Sequence, residues 1–141
     1  MILLDTNVIS ELVKVGPDAA VAAYLDSIAP DTVFTAAVCE AEIRYGIARM
    51  PVGRRREELI ARIDTFFEIG FRDQVLRFDR SCAALYGEIR HARESVGKPI
   101  TIEEAMIAAT ARAYGVAAIV TRNTRDFVDC GVELIDPWAM S

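Results

Sequence analysis

Residues 1–10 read Met-Ile-Leu-Leu-Asp-Thr-Asn-Val-Ile-Ser. The run Ile2-Leu3-Leu4 consists of consecutive apolar residues, a pattern typical of a short strand that is covered on both faces. The polar residues Asp5, Thr6 and Asn7 end this run and favour a helix start directly after it. The stretch therefore predicts a buried strand followed by a helix, which is the basic unit of an α/β fold.

The rest of the chain repeats this alternation of short apolar runs and helical segments. Further strands are predicted at 33–35, 75–78, 117–121 and 132–135, and helices at about 18–27, 37–50, 54–67, 80–96 and 102–114. Strands that alternate with helices form a parallel sheet covered by helices on both faces. We therefore expect one α/β domain over residues 1–141, with its functional groups at the carboxyl edge of the sheet.

Length and composition indicate an ordinary globular domain. The chain has 141 residues, of which 52% are hydrophobic and 26% are charged, and this balance argues against a disordered or fibrous protein. No apolar stretch approaches the roughly 18 to 20 residues that cross a bilayer. The first residues also lack the basic region and long apolar block of a secretory signal. We therefore expect a cytoplasmic protein with no membrane partner.

The net charge of −5 excludes a protein that coats nucleic acid nonspecifically, because such proteins are basic. A nuclease function is still compatible with this charge if a metal ion supplies positive charge at the active site. Six arginines lie between residues 44 and 62, and they indicate either a solvated helix face or a surface for phosphates or an acidic partner. The apolar residues of 54–67, and Tyr24, Leu25 and Ile28, either pack in the core or contact a partner.

The cysteines and the histidine exclude several kinds of site. The three cysteines are isolated among apolar neighbours, as is typical of buried thiols in a reducing compartment. With no Cys-x-x-Cys pair and one histidine, His91, the sequence argues against a zinc site and against a mechanism with two imidazoles. Nothing in the spacing favours a Cys–His hydrolase. We expect His91 to lie on the surface together with Arg90 and Arg93.

Four carboxylates stand where composition alone would not place them. Asp5 follows the first predicted strand, and Glu42 lies in a helix that is otherwise apolar on most sides. Glu104 opens a helix, and Asp126 follows the fourth predicted strand. Local interpretations exist for three of them: Asp5 as a helix cap, Glu104 in a capping box with Thr101, and Asp126 as a turn residue. Glu42 has none, and an unpaired carboxylate in an apolar setting is costly.

Taken together, these carboxylates predict a metal site. If they meet at one edge of the sheet, their charges repel and burial raises their pKa values, and a divalent cation relieves that repulsion. Oxygen ligands without a Cys or His cluster favour Mg²⁺, with Mn²⁺ as a substitute, over zinc. Such a site suits phosphodiester hydrolysis. A covalent aspartyl-phosphate mechanism is disfavoured, because it commonly uses a second Asp two residues after Asp5, where this chain has Asn7.

Four motifs then carry a family resemblance. They are the stretch 1–10, Glu-Ile-Arg-Tyr-Gly at 42–46, Gly-Lys-Pro-Ile at 97–100 leading to Ala-Met-Ile-Ala-Ala at 105–109, and Val-Thr-Arg-Asn-Thr-Arg-Asp-Phe at 120–127. In this order and spacing they resemble the PIN-domain ribonucleases, and more closely the VapC toxins of bacterial type II toxin–antitoxin modules in the FitB-like branch. The resemblance covers residues 2 to about 138. It implies a PIN-like, three-layer α/β/α domain around a parallel sheet of four to five strands.

The resemblance also implies an activity and partners. These are a Mg²⁺-dependent endoribonuclease that hydrolyses RNA, a homodimer, and neutralisation by a VapB-like antitoxin, through which alone operator DNA would be contacted. It further implies that Thr6 and Asn7 organise the loop behind Asp5. Thr121 would orient a ligand or a water molecule.

By position, the resemblance assigns the acids of the site. Asp5 takes the first place and Glu42 the second. The third acid, directly before Ala-x-x-Ala-Ala, falls on Glu104. The fourth place falls in the loop 121–127, where Asn123 and Asp126 are the candidates. All four acids are expected to serve catalysis, and Asp5 and Glu104 are expected to touch the metal.

Position 104 departs from the family pattern, which usually has Asp there. The extra methylene group moves the carboxylate by about 1.5 Å, whereas catalytic geometry tolerates about 0.5 Å. If Glu104 closes a capping box with Thr101, its carboxylate turns back towards its own helix. Two functions therefore stay open: an endoribonuclease toxin, or a module that binds an antitoxin and nucleic acid with weak or no catalysis.

Overall fold

The short apolar runs form a parallel five-stranded sheet in the computed structural model, which describes residues 1–140. The strands are β1 (Ile2–Leu4), β2 (Val33–Ala36), β3 (Val75–Leu76), β4 (Ala118–Val120) and β5 (Glu133–Ile135). All four strand pairings are parallel. The prediction of an α/β fold with a parallel sheet is confirmed.

The strand order, β3-β2-β1-β4-β5, puts the first strand in the middle of the sheet. Leu3 and Leu4 are fully buried there, which explains why β1 is apolar at consecutive positions. From β1 the chain winds outwards to β2 and β3, and it then returns to form β4 and β5 on the other side. Sheets of this kind have a crevice outside the carboxyl ends of the strands where the order reverses. Here that crevice lies between β1 and β4.

Helices connect the strands and cover the sheet. They are α1 (Thr6–Leu12), α2 (Ala19–Asp26), α3 (Ala37–Ala48), α4 (Arg54–Thr65), α5 (Arg80–Ser95), α6 (Ile102–Ala113) and α7 (Thr124–Phe127). Short 3₁₀ turns occur at Pro30–Thr32 and Pro137–Ala139, and a π-helical turn at Phe66–Gly70 extends α4. Side-chain caps start several of the helices, as the polar residues before them predict: Asp5, Asp18, Asp79 and Thr101 each accept a backbone N–H of the first turn.

Each predicted strand and helix is present, and the observed elements differ from the predicted ones mainly in where they begin and end. The sequence pattern does not predict α7, because four residues are too few to show helical periodicity. Asp126, interpreted as a turn residue, lies in this short helix. The extent of the domain over residues 1–141 stays a prediction.

Arg93 contradicts the expectation of a surface position beside His91. It is 4% exposed, whereas His91 is exposed. Its guanidinium group donates to the carbonyl oxygens of Lys98 at 2.8 Å, Asp126 at 2.8 Å and Val128 at 2.9 Å. The charged residues around Arg93 in the sequence could not reveal this burial. All three acceptors are backbone groups, and two of them lie 33 and 35 residues further along the chain. Arg93 therefore ties the end of α5 to the segment that carries α7.

The two apolar segments that were considered as core or partner surfaces both pack at least partly against the core. Ile63 is fully buried and Phe67 is 5% exposed, while Tyr24, Leu25 and Ile28 pack partly against the core. The three cysteines are buried and free, as expected. Within residues 1–140 no helix combines the length and the hydropathy that a membrane span requires.

Candidate active site

Asp5 lies at the crevice between β1 and β4. Its backbone N–H donates to the Val120 carbonyl oxygen at 2.9 Å, and the residue is 5% exposed. One carboxylate oxygen, Oδ1, accepts the Thr6 backbone N–H at 2.8 Å. The other, Oδ2, accepts the Thr121 hydroxyl at 2.8 Å and the Asn7 amide at 3.1 Å. Asp5 therefore caps α1 and also bridges the crevice, and burial raises its pKa in spite of these hydrogen bonds.

Asn7 connects the loop after β1 to the loop after β4. Its Nδ2 lies 3.3 Å from the Thr121 hydroxyl oxygen, and its Oδ1 accepts the Arg122 backbone N–H at 3.1 Å. The Asn123 backbone N–H donates to the same Thr121 hydroxyl at 3.0 Å. Thr121 is fully buried behind Asp5. These polar side chains form one network that fixes the position of the Asp5 carboxylate.

Glu42 projects from α3 towards the same crevice. Its Oε1 accepts the Thr6 hydroxyl at 2.7 Å, so Thr6 donates to Asp5 through its backbone N–H and to Glu42 through its side chain. The pKa of Glu42 is raised, mainly by burial and further by the charges of Asp5 and Glu103. The carboxylate that has no local interpretation in the sequence thus has a partner 36 residues away.

Glu104 closes the capping box at the start of α6. Its Oε1 accepts the Thr101 backbone N–H at 3.1 Å and the Thr101 hydroxyl at 2.9 Å, and its own N–H donates to that hydroxyl at 3.1 Å. The side chain nevertheless faces the same space as Asp5 and Glu42. Burial raises its pKa, the carboxyl group of Asp126 raises it further, and Glu104 in turn raises the pKa of Asp5. The capping role and the site role therefore coincide in one residue.

Of the two candidates for the fourth place, Asn123 lines this space and Asp126 does not. Asp126 lies in α7 beside Glu104 and lines a neighbouring recess of about 340 Å³ with Arg122 and Arg125. Its backbone N–H donates to the Asn123 carbonyl oxygen at 3.0 Å. The two candidates thus have different positions, one inside the space and one behind Glu104.

We call this space the acidic cleft. It has a volume of about 480 Å³ and is lined by residues of α1 and its flanking residues, α3, α6, the loop after β4 and the last 3₁₀ turn: Asp5, Thr6, Asn7, Ser10, Glu11, Lys14, Glu42, Glu104, Ile107, Arg122, Asn123 and Trp138. Four of these side chains are carboxylates and two are cations. The cleft lies at the point where the strand order reverses, as the topology requires.

Six lining residues are missing from the sequence-based set: Ser10, Glu11, Lys14, Ile107, Arg122 and Trp138. Glu11 is 8% exposed and accepts the Lys14 ammonium at 3.1 Å and the Asp18 backbone N–H at 3.0 Å, and these contacts lower its pKa. Helical spacing from Asn7 could have indicated Glu11 and Lys14, because positions four and seven residues along share a helix face. Arg122 directly follows a predicted site residue. No local signal marks Trp138, which reaches the cleft only through the fold.

The donor set fits a hard divalent cation by its chemistry, because it consists of oxygen atoms from carboxylates that raise one another's pKa. The part of the chain that the structure describes has no group of three or more His, Cys, Asp or Glu side chains close enough to hold a metal ion together. Asp5, Glu42 and Glu104 share the acidic cleft but do not form a ready-made cage.

Comparisons with known sequences identify related proteins. The model of the PIN domain family matches residues 2–131. VapC ribonuclease Y4jK of Sinorhizobium fredii (strain NBRC 101917 / NGR234) is 39% identical over 138 residues, which is 98% of each chain. Toxin FitB of Neisseria gonorrhoeae (strain ATCC 700825 / FA 1090) is 37% identical over 98% of this chain and 99% of its own.

A solved structure agrees with these relatives. The structure of FitAB bound to an IR36 DNA fragment contains a chain that superimposes with a TM-score of 0.90 at 36% identity. The match covers 100% of this chain and 98% of that one. The similarity therefore includes the strands and loops that form the acidic cleft.

Proposed function

The chain belongs to the PIN-domain family, and on this premise we propose that it is a metal-dependent endoribonuclease toxin of a type II toxin–antitoxin module. The observation that carries the proposal is the acidic cleft, where Asp5, Glu42 and Glu104 from three distant parts of the chain face one space. Glu104 raises the pKa of Asp5, and Asp5 raises that of Glu42. This mutual repulsion supports a cation as the natural occupant, since a positive charge relieves it.

Mg²⁺ is the proposed ion, with Mn²⁺ as a substitute, and Asp5 and Glu104 are the side chains proposed to hold it. Mg²⁺ in proteins is commonly held by one or two carboxylates and keeps several water molecules. The lack of a three-ligand group within residues 1–140 is therefore compatible with Mg²⁺. When bound, the ion supplies Lewis-acid activation of the phosphate and of water.

The side chains of the cleft have distinct proposed roles. Three donors fix the orientation of the Asp5 carboxylate before substrate arrives. Glu42 has a raised pKa and is held by the Thr6 hydroxyl, which suits a group that accepts a proton from the attacking water. Asn123 contributes a neutral amide at the fourth place. Asp126 acts through Glu104, whose pKa it raises.

A VapB-like antitoxin is the proposed partner, with operator DNA contacted only through it. The similarity to FitAB in a DNA-bound structure supports this assembly. An acidic cleft also attracts an arginine or a lysine, which would compete with metal and substrate. We further propose a homodimer, carried over from the family resemblance. We place the protein in the cytoplasm, where its three free cysteines would stay reduced.

The alternative function, a binding module with weak or no catalysis, is favoured by one observation. Oxygen Oε1 of Glu104 is occupied by two donors from Thr101, and this side chain stands where the family usually has Asp. If those bonds persist when metal is present, Glu104 contributes little to holding it. RNA binding without Mg²⁺-dependent cleavage would then be the observed behaviour.

Cleavage of RNA by the purified, antitoxin-free protein tests the two functions against each other. The wild-type protein should cleave RNA with Mg²⁺ or Mn²⁺ and leave it intact in EDTA. Asp5→Asn should abolish cleavage, because the charge in the centre of the cleft is lost, whereas the matched variant Asp26→Asn, at an exposed position of α2, should cleave as the wild type does.

The fold of each variant is checked by circular dichroism and urea denaturation. Intact RNA with folded wild-type protein under both metal conditions would overturn the nuclease proposal. If that protein still binds RNA, the alternative function replaces it.

A further inference from the structure

Arg122 and Trp138 meet at the mouth of the acidic cleft. The guanidinium carbon of Arg122 lies 5.0 Å from the centre of the Trp138 ring, and both side chains line the cleft. A guanidinium group at this distance is stacked over the ring by a cation–π interaction. We call these two residues the arginine–tryptophan pair.

The backbone fixes both members of the pair. The Arg122 N–H donates to the side chain of Asn7 at 3.1 Å, which links it to the network around Asp5. The Trp138 N–H donates to the Asp136 carboxylate at 2.9 Å, and Pro137 between them is buried. The backbone positions of both residues are therefore fixed independently of the stacking contact between their side chains.

The charge of Arg122 is available to a ligand. The cleft contains two cations, and the other one, Lys14, is paired with Glu11 at 3.1 Å. Arg122 is exposed, and its side chain has no ion pair with any residue between 1 and 140. Despite the carboxylates nearby, its guanidinium group rests on an aromatic ring, so its N–H donors stay open to an anion.

We propose that the arginine–tryptophan pair binds a nucleotide of single-stranded RNA next to the phosphodiester that enters the acidic cleft. The exposed Arg122 guanidinium plane, whose other face rests on the Trp138 ring, stacks on the base, and its N–H groups donate to a phosphate oxygen. Stacking of this kind needs an unpaired base, since in a duplex the faces of the bases are covered by their neighbours. The inference rests on the proposed function, because it assigns a contact to the same substrate.

The positive charge of the pair also offsets the repulsion between the cleft and the phosphates of RNA. Four carboxylates line the space, and they repel the phosphates of an incoming RNA strand. An open guanidinium group at the mouth offsets this repulsion for the adjacent phosphate, and it can donate two parallel hydrogen bonds to it. Arg122 therefore serves substrate positioning, separately from the carboxylates that serve the metal.

Trp138 is the only tryptophan of the chain, so intrinsic fluorescence reports on the pair directly. The probe is a single-stranded RNA of mixed sequence, about 10 nucleotides long, titrated into the 141-residue protein in EDTA so that metal-dependent cleavage does not interfere. We expect quenching of Trp138 by the single strand and little change with the same sequence as a duplex.

Variants separate stacking from general charge. Arg122→Ala should weaken binding of the single strand about tenfold, and Trp138→Leu should do the same when binding is followed by anisotropy of labelled RNA. Arg125→Ala is the matched control, because Arg125 carries the same charge in the same segment but does not line the cleft. It should change the affinity less than twofold.

Three results would overturn the inference: RNA binding by anisotropy without quenching of Trp138, equal losses for the variants at 122 and 125, or equal quenching by single strand and duplex. Each can be told apart from failure of the proposed function. If the pair binds RNA as expected but Mg²⁺ produces no cleavage, the nuclease proposal fails and the inference stands. If RNA is cleaved and Arg122→Ala matches the wild type in affinity and rate, the inference fails alone.

Discussion

The acidic cleft has a strand side, formed by Asp5, Asn7 and Thr121, and a helix side, formed by Glu104 at the start of α6. On the strand side the three side chains bond to one another across the ends of β1 and β4. On the helix side, Glu104 bonds to the start of its own helix through Thr101. Contacts between distant parts of the chain therefore fix the strand side, whereas a local helix cap fixes Glu104.

This difference explains where the chain can depart from its family. A change at Asp5 disturbs several partners at once, because its carboxylate accepts three hydrogen bonds. A change from Asp to Glu at position 104 can be absorbed locally, since the longer side chain completes a capping box that stabilises α6. The helix side is therefore where activity can be adjusted without disturbing the sheet.

The largest expected effect is a loss of stability when Arg93, which holds the chain segments next to the helix side, is replaced. Arg93→Met should lower the free energy of unfolding by about 3 kcal/mol, because three carbonyl oxygens lose the buried Arg93 guanidinium group as their donor. Urea denaturation measures the loss. Arg90→Met is the matched control on the same helix, where the guanidinium group donates to the Tyr86 hydroxyl and lies over the Tyr86 ring, and it should lose less than about 1 kcal/mol.

Equal losses for the two arginine variants would show that Arg93 does not hold the segment around α7. In that case the comparison between the two sides of the cleft would need another cause. Faster amide exchange in residues 122–128 of Arg93→Met, with unchanged exchange around Asp5, would instead support the role described above.

The strand side should respond most strongly in activity. Asn7→Ala removes the side chain that joins Asp5, Thr121 and Arg122. We expect kcat/KM for RNA cleavage to fall about 100-fold, since a displacement of the order of 1 Å in a positioned group can cost that much. Ser10→Ala, in the same cleft, is the control and should change kcat/KM less than twofold. A similar drop for both variants would contradict a special role for the network.

Sequence reasoning predicted the parallel sheet and the position of Asp5 well, because consecutive apolar residues and a following acid are local signals. It also indicated that Glu42 needs a partner, since an apolar helix offers none. It did not identify Thr6 as that partner or Trp138 as part of the cleft. Both contacts depend on how distant segments meet, which a periodic pattern does not encode.

The prediction that Arg93 is exposed was wrong for a different reason. Charged neighbours in the sequence predict exposure, but an arginine can be buried when its donors meet backbone carbonyls, as they do at Asp126 in α7 and at Val128 directly after it. The order of the strands, which creates the crevice at Asp5, also has no local signal in the sequence. Residue types therefore indicated that Asp5, Glu42 and Glu104 belong together, whereas they did not indicate Glu11 or Trp138 as lining residues.

A smaller effect separates the two roles of Glu104. Glu104→Gln keeps the capping box, because Gln serves as well as Glu at that position, but it removes the charge. We expect stability within about 0.5 kcal/mol of wild type and cleavage at limiting Mg²⁺ reduced about 30-fold. Thr101→Ala should do the reverse, losing about 1 kcal/mol of stability while it keeps cleavage. Full activity of Glu104→Gln would mean that Glu104 only caps α6.

The smallest effect is the pH dependence of stability, which should have opposite signs inside and outside the cleft. The pKa of Glu42 lies above its ordinary value of 4.5, so the folded state holds the proton more tightly than the unfolded chain does. Its favourable contribution is fully present below that value and is lost as the pH rises through the raised pKa.

The pKa of Asp79 lies at about 2 instead of 3.8, because Ser81 and Tyr114 donate to its carboxylate. Its contribution is present above 3.8 and is lost as the pH falls towards 2. In EDTA, the stability of wild type relative to Glu42→Gln should therefore fall as the pH rises above 4.5, whereas relative to Asp79→Asn it should fall as the pH drops. Urea denaturation across this range measures both differences, and equal signs would show that Glu42 is not held in a repulsive cleft.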